Sequence, residues 1–396
     1  MINERMYALG TKPSCIRELF EFGLKQAAIV GKENVFDYSL GNPSVPSPEA
    51  VIDAFRTLAQ NPDTVSVHSY TPARGEPNAR AAVAADLTAR SGMTIRPDNI
   101  FFTCGAAPAL VSVLRALSVE NSEVAVIAPF FPEYRPFVEF NGSKFVIIPA
   151  DQDKFQIDFS AMENGLTANT QAIIVNSSNN PSGAIYTRQT LTKLAALLTR
   201  KSKEYGHPIY ILADEPYREL VYDGAEVPFI PTIYPNTIVC YSYSQSLSLP
   251  GERIGYIFVP AAAAEHDRVY ASICGAGRKL GFVNAPALFQ RVAAACDGVT
   301  ADISVYERNA ALLYDALTGM GFACVRPQGT FYLFLRSPIA DAGTFCEKAK
   351  EFDLLLVPAD SFCCPGWVRI AFCVPTDRLQ RSLPAFEKLA AAFGLR

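Results

Sequence analysis

Asp214-Glu215 closes an apolar run at 209–212 and is followed by Pro216-Tyr217. A carboxylate at the end of a buried run is costly unless something neutralises it. A protonated ring nitrogen is a fitting partner, and an ion pair with a nearby arginine such as Arg218 is the alternative. Tyr217, three residues on, can reach a neighbouring phenolic oxygen. The same placement, just past an apolar run, recurs along the chain. Cys104-Gly105-Ala106-Ala107 follows 100–103 and opens a helical pattern at 108–117. First-turn N–H groups have no partner in their own helix and suit an anion such as a phosphate; an ordinary tight turn fits the same residues. Pro129-Phe130-Phe131-Pro132-Glu133-Tyr134 follows 124–128 and offers aromatics that either stack on a flat ring or cover the sheet end. Asn176-Ser177-Ser178-Asn179-Asn180-Pro181-Ser182-Gly183 follows 172–175 and is rich in turn formers. There Asn180, held before proline, can aim its amide at a ligand oxygen. Ser242-Tyr243-Ser244-Gln245 follows 238–241, with Gly251-Glu252-Arg253-Ile254-Gly255-Tyr256 just beyond, so hydroxyls and an arginine gather for an anionic group. Arg369 lies inside the apolar run 367–372. A buried arginine needs an acidic partner, either internal or a bound carboxylate held by two of its nitrogens.

These residues need elements that bring them to one edge. Apolar runs at 123–128, 144–149, 171–176, 208–213, 237–243 and 255–259 read as buried strands. Helical patterns such as 107–117 and 190–205 lie between several of them. Continuous apolar strands alternating with helices imply an α/β unit with a mostly parallel sheet covered on both faces. In such a sheet a ligand sits beyond the carboxyl ends of the strands, where the residues above fall. The texture changes near 290. A long helical pattern over 290–320, strands at 332–336 and 367–372 and a closing helix at 376–393 predict a smaller α+β domain.

Composition excludes several classes. The net charge of −4 and the absence of a Lys/Arg-rich run argue against nucleic acid. Residues 1–14 have no long apolar stretch, so a secretory signal is not expected there. No window of about eighteen apolar residues predicts a membrane span. Ten cysteines without CxxC spacing, three histidines far apart (His68, His207, His266) and no HExxH speak against a metal site and for a reducing cytosol. Gly275-Ala276-Gly277 and Gly281 miss the GxGxxG spacing and follow a helical pattern, so no dinucleotide site is expected.

Taken together and in order, the motifs resemble the fold-type-I pyridoxal-phosphate enzymes, specifically the class I/II aminotransferases of the aspartate aminotransferase superfamily. The resemblance starts at Leu40-Gly41-Asn42-Pro43 and Tyr70-Thr71-Pro72-Ala73-Arg74-Gly75. It continues through Asn180-Pro181-Ser182-Gly183, Asp214-Glu215-Pro216-Tyr217 and Gly251-Glu252-Arg253-Ile254-Gly255-Tyr256. It ends at Gly329-Thr330-Phe331-Tyr332 and Arg369-Ile370-Ala371-Phe372. It implies an N-terminal segment (1–45) packing with the small domain (291–396) and a large cofactor-binding domain (46–290). The implied cofactor is pyridoxal 5'-phosphate. Asp214 would pair with the ring nitrogen, and Asn180 and Tyr217 with the phenolic oxygen. Phe131 would lie on the ring face. Gly105, Ala106, Ala107, Ser242, Ser244 and Arg253 would hold the phosphate. Tyr70 would reach the phosphate of a second subunit, which implies a homodimer with sites at the interface. Arg369, backed by Gly41, would clamp the carboxylate of an amino acid or 2-oxo acid, with Asn180 beside it.

The family pattern puts a cofactor-linking lysine eight residues before the phosphate arginine, and Gln245 stands there. An amide is neither nucleophilic nor basic. The expectation is a cytoplasmic aminotransferase scaffold that still binds the cofactor, or its adduct with an amino acid, but is catalytically disabled. A lysine replaced so as to trap a bound state explains why the rest of the pattern is intact. A decayed enzyme and a natural use of the cofactor without lysine are the alternatives. A lyase or decarboxylase on the same scaffold, and a regulatory protein that keeps the pocket, are the rival functions.

Overall fold

The structure is a computed structural model and describes residues 1–11, 15–149, 151–296 and 298–395. Thirteen strands occur among the described residues. In chain order they are β1 (Phe36–Asp37), β2 (Ile100–Thr103), β3 (Glu123–Ile127), β4 (Lys144–Ile148), β5 (Thr170–Asn176), β6 (Tyr210–Asp214), β7 (Thr237–Ser242), β8 (Gly255–Phe258), β9 (Ala323–Val325), β10 (Tyr332–Arg336), β11 (Leu354–Leu355), β12 (Val357–Pro358) and β13 (Trp367–Ala371).

β2 to β8 form one seven-stranded sheet in the order β2-β8-β7-β6-β5-β3-β4. Pairs among β7, β6, β5, β3 and β4 are parallel. β8 is antiparallel to both neighbours, so the expected mostly parallel sheet carries one reversed strand near its edge. The central strands are buried from end to end, as their unbroken Val/Ile/Leu/Ala runs require when both faces are covered. Residues of alternate parity feed the cores on opposite faces: Ile173, Ile211 and Val239 on one, Ile174, Leu212 and Ile238 on the other. The helix Arg188–Tyr205 shows why such sequences fold locally. Thr187 accepts the N–H of Thr190 at its start, Leu191, Leu194 and Leu198 line its inner face, and left-handed Gly206 ends it. Because β2, β3, β5, β6 and β7 share a direction, Thr103, Ile127, Asn176, Asp214 and Ser242 finish at one edge, and Gly255 begins β8 there.

The second sheet is antiparallel, in the order β12-β13-β10-β9, with Phe334 opposite Arg369. It packs with the helices Ser304–Gly319, Ala342–Lys350 and Thr376–Ala392 around Leu313, Phe345, Phe372 and Phe386. β1 pairs in parallel with β11, and the helix Cys15–Val30 lays Leu19 into a cluster with Leu355, Phe334 and Trp367.

The single helix expected over 290–320 is two helices, Ala287–Ala295 and Ser304–Gly319. The alanine-rich pattern hides the stop, but Gly298 takes φ 71° and the following backbone turns away. Residue 297 lies outside the described residues. The break has a use: Ala301 N donates to Ser246 O at 2.7 Å and ties this link to the turn after β7. Gly275 and Gly277 sit inside the helix His266–Lys279, as their helical surroundings predict. Among the described residues no helix is long and apolar enough to cross a membrane.

Candidate active site

Asp214 ends β6 and is buried. Its backbone oxygen accepts from Asn176 Nδ2 at 2.8 Å, which locks the ends of β5 and β6 together. One carboxylate oxygen, Oδ2, accepts the Tyr134 hydroxyl. The other, Oδ1, is buried with no partner among the described residues. Burial pushes the Asp214 carboxyl up to about 7; the Tyr134 hydrogen bond opposes this and neighbouring Glu215 adds to it. The alternative partner for Asp214, Arg218, is taken: its Nε donates to Glu215 Oε2 at 2.6 Å and its Nη1 to the Tyr256 hydroxyl at 3.0 Å. So among the described residues Asp214 has no cation beside it and keeps one open acceptor.

Asp214 faces a cavity of about 110 Å³ lined by Ala106, Ala107, Phe131, Asn180 and Tyr217, with Asn176, Tyr134 and a few apolar groups completing it. Phe131 stands edge-on to Tyr134, ring centroids 5.7 Å apart. The Tyr217 hydroxyl lies 3.2 Å from that of Tyr332. Asn180 N donates to Asn176 Oδ1 at 2.7 Å, which fixes the asparagine before its proline.

At one end of the cavity the helix Ala106–Leu117 begins. Gly105 precedes it at φ 96°, and no side chain caps the helix. Ala106 and Ala107 therefore present unsatisfied N–H groups, while Pro108 has none to offer. A Cβ on Gly105 would lie 2.8 Å from Arg253 Nη2, so the guanidinium rests against this backbone. Gly255 is equally crowded: its Cβ would meet Tyr241 O at 2.2 Å and Gly105 Cα at 3.0 Å. Ser242 Oγ and Ser244 Oγ are 2.7 Å apart on the adjoining turn. Through the contacts of Gly105 with Arg253 and Gly255, the helix N–H groups, the guanidinium and the turn that carries the two hydroxyls are neighbours, a grouping of donors that suits an anion.

Arg369, 2% exposed, reaches the cavity-lining Asn180. Nη1 donates to Asn180 Oδ1 at 3.2 Å and Nη2 to Ser39 O at 2.5 Å, while Nε has no partner. The guanidinium carbon lies 4.5 Å from the Tyr332 ring centroid and 5.0 Å from that of Phe362. Among the described residues no carboxylate pairs with it. Gly41 runs so close to Tyr332 that a Cβ would fall 1.8 Å from its hydroxyl oxygen. The arrangement can hold a flat, protonated heterocycle carrying an anionic tail, next to a carboxylate.

Tyr70 and Gln245, like Gly41, Gly105, Ser242, Ser244, Arg253 and Arg369, are not among the residues that line this cavity. Tyr70 is 96% exposed and touches none of it. Gln245 follows Ser244 on the short helix Tyr243–Ser246; it is buried, and its Oε1 has no partner. Among the described residues no lysine lines the cavity. Three residues in the site carried no assigned role: Tyr134, Asn176 and Tyr332. Each stood in a motif already singled out, but hydrogen bonds across the sheet end have no local signature. Among the described residues no His/Cys/Asp/Glu group could hold a metal.

The family model for aminotransferase class I and II matches residues 33–386. A crystal structure of an aminotransferase from Eubacterium rectale is 51% identical with a TM-score of 0.98, covering 100% of this chain and 99% of that one. The crystal structure of aspartate aminotransferase from Thermotoga maritima gives a TM-score of 0.84 at 28% identity, covering 98% and 99%. An aromatic-amino-acid aminotransferase of Thermococcus litoralis is 27% identical over 400 residues, 95% of each chain.

Proposed function

The chain belongs to the class I and II aminotransferases, enzymes that use pyridoxal 5'-phosphate, and on that premise we propose how its own residues serve an amino acid or 2-oxo acid substrate. The observation that carries the reading is a pair of unmet demands: a buried acceptor at Asp214 Oδ1 on the cavity wall, and a buried cation at Arg369, bonded to the cavity-lining Asn180, with no carboxylate beside it among the described residues. The residues fit the cofactor. Asp214 would receive the ring N–H, and the Asn180 amide nitrogen, left free by the Arg369 bond, would donate to the phenolic oxygen together with Tyr217. Phe131 would cover the ring, and Gly105, Ala106, Ala107, Ser242, Ser244 and Arg253 would hold the phosphate.

When bound, the cofactor supplies an electron sink for bonds at the substrate α-carbon. The protein's part is positional and electrostatic. Asp214, ionised, keeps the ring nitrogen protonated. Arg369 takes the α-carboxylate on its free edge, and Gly41 lets the N-terminal segment close over it without a side chain in the way. The apolar walls exclude water. We assign Gln245 to the position of the linking lysine. In this reading the chain binds cofactor without a covalent link and lacks the base that moves the α-proton, a loss of about 10²–10⁴ in rate for the base alone. Its buried, unpartnered Oε1 supports a residue placed beside a ligand rather than in packing.

The reading divides the chain into 1–45, 46–290 and 291–396, supported by the separate cores and the β1–β11 pairing. It includes a homodimer in which exposed Tyr70 reaches the partner's phosphate site, and a cytoplasmic location, for which ten unpaired cysteines are the support. The substrate class stops at the carboxylate. Arg326 is engaged by Asp223 at 3.1 Å, while Arg74 and Arg278 are exposed, so none argues for a second acidic group.

The test is Gln245→Lys. With cofactor added, the variant should develop the absorbance band of cofactor linked to lysine and lose it on addition of a responding amino acid, while the unaltered chain should bind cofactor with no such band. A variant that binds cofactor but never forms the link would refute the assignment of position 245. Failure of both proteins to bind would refute the cofactor site.

A further inference from the structure

A carboxylate that serves a ring nitrogen must be ionised and must turn one oxygen toward it. Asp214 sits where neither condition comes free. It is buried, no cation among the described residues pairs with it, and rotation about its last bond would exchange its two oxygens. The groups facing it are few. From its own segment come Glu215, whose charge is engaged by Arg218, and Tyr217. From β7 comes the Cys240 thiol, and from the helix Tyr134–Phe140 comes Tyr134. Burial pushes both phenols and the thiol well above their ordinary values, so all three stay neutral at the pH of any cell. Of these groups only Tyr134 donates to the carboxylate. The side chains of Tyr134 and Asp214 both line the cavity.

We propose that Tyr134 is a positioning residue: by donating to Asp214 Oδ2 it holds the carboxylate ionised and leaves Oδ1 as the single acceptor presented to a protonated ring nitrogen. This rests on the cofactor reading above. The bond does two things. It stabilises the charged form against the desolvation that pushes the carboxyl to about 7. It also removes the alternative in which Asp214 turns Oδ2 into the cavity, so the acceptor is oriented before the ligand arrives. A phenylalanine at 134 would keep the ring and its edge-on contact with Phe131 and delete only the donor.

The experiment uses the full chain and pyridoxamine 5'-phosphate, a probe that lacks the lysine-reactive aldehyde. Affinity is measured by fluorescence titration from about pH 5.5 to about pH 8.5, spanning the carboxyl's range, for the unaltered chain, Tyr134→Phe, Asp214→Asn and the double variant. Ionisations of the probe are common to all four proteins and drop out of the comparison. The sign follows from linkage. Loss of the donor raises the carboxyl further, so the variant must reach a higher pH before it binds well. Below both midpoints affinity should fall about tenfold for each unit that the carboxyl rises, and above both the two proteins should converge. In the Asp214→Asn background the Tyr134→Phe change should cost little. Equal weakening at every pH, with the midpoint unmoved or the Asn background equally sensitive, would mean that Tyr134 only fills space and would overturn the proposal. If the unaltered chain binds no probe at any pH, the cofactor reading fails first.

Discussion

Replacing Arg369 with methionine keeps most of the side chain's length and removes its charge. Of the guanidinium's five N–H groups, one donates to Asn180 and one to Ser39, which leaves three, including the partnerless Nε. Two of these suffice for a bidentate carboxylate, at about 1.5–3 kcal/mol per charge-assisted bond. Taking the low end for both, the substitution should weaken carboxylate binding by about 3 kcal/mol, roughly 10²-fold. The assay is thermal unfolding of protein loaded with pyridoxamine phosphate, with and without a 2-oxo acid. At a ligand concentration of about 100 Kd the unaltered chain gains about 2.7 kcal/mol, which for a chain of this length is a rise in Tm of about 3 °C. At the same concentration the variant should gain only about 0.4 kcal/mol, a rise of about 0.5 °C. The comparison within each protein cancels any change in intrinsic stability from the lost contacts to Asn180, Ser39, Tyr332 and Phe362. A variant that keeps the full rise would show that the carboxylate binds elsewhere, and the functional weight given to the unpaired cation would be unfounded.

Burial raises Asp214 from an ordinary value of 3.8 to about 7, so between those values the folded state holds a proton that the unfolded state releases. The ligand-free protein should therefore lose stability as pH rises from about 4 to about 7, and Asp214→Asn should flatten that part of a Tm-against-pH curve; an unchanged slope would contradict the burial argument. Glu215→Gln strands the Arg218 guanidinium in the interior, where breaking a buried pair costs about 3–5 kcal/mol; chemical denaturation should show a loss of that order, and a change below about 1 kcal/mol would mean that the Tyr256 hydroxyl and the rings of Phe229 and Tyr241, over which the guanidinium lies, hold the cation alone. Gly105→Ala forces a Cβ against Arg253 at a positive φ. It should weaken pyridoxamine phosphate by about tenfold or more and leave unphosphorylated pyridoxamine nearly unaffected, whereas equal losses for both ligands would place the phosphate elsewhere.

The sheet was legible because its strands are continuous apolar runs, and each ended within two residues of the predicted boundary. The reversed direction of β8 was not, since a four-residue strand buried on both faces looks the same either way along the chain. The break inside 290–320 escaped because alanine-rich sequence favours helix on both sides of Gly298. In the site, Asp214, Asn180, Tyr217, Phe131 and Arg369 were singled out by residue type and place, and the structure sets the first four around one cavity with Arg369 bonded to Asn180. What sequence could not supply were pairings across elements: Tyr134 to Asp214 over 80 positions, or Arg369 to the backbone of Ser39 over 330. Such contacts depend on where two strand ends meet, and nothing in the neighbouring residues encodes that.

The close approach of Gly255 to Gly105 bears on how the protein is made. The walls of the proposed phosphate site lie on β8 and on the turn after β2, and they touch only once β8 has slotted between β2 and β7. A chain emerging from the ribosome exposes the helix start at 106 long before residue 255 exists, and Arg369 comes later still. The pocket is therefore absent from every incomplete product of synthesis. Cofactor capture reports that the sheet has closed, and its binding energy is added to the one arrangement in which distant parts of the chain have met correctly.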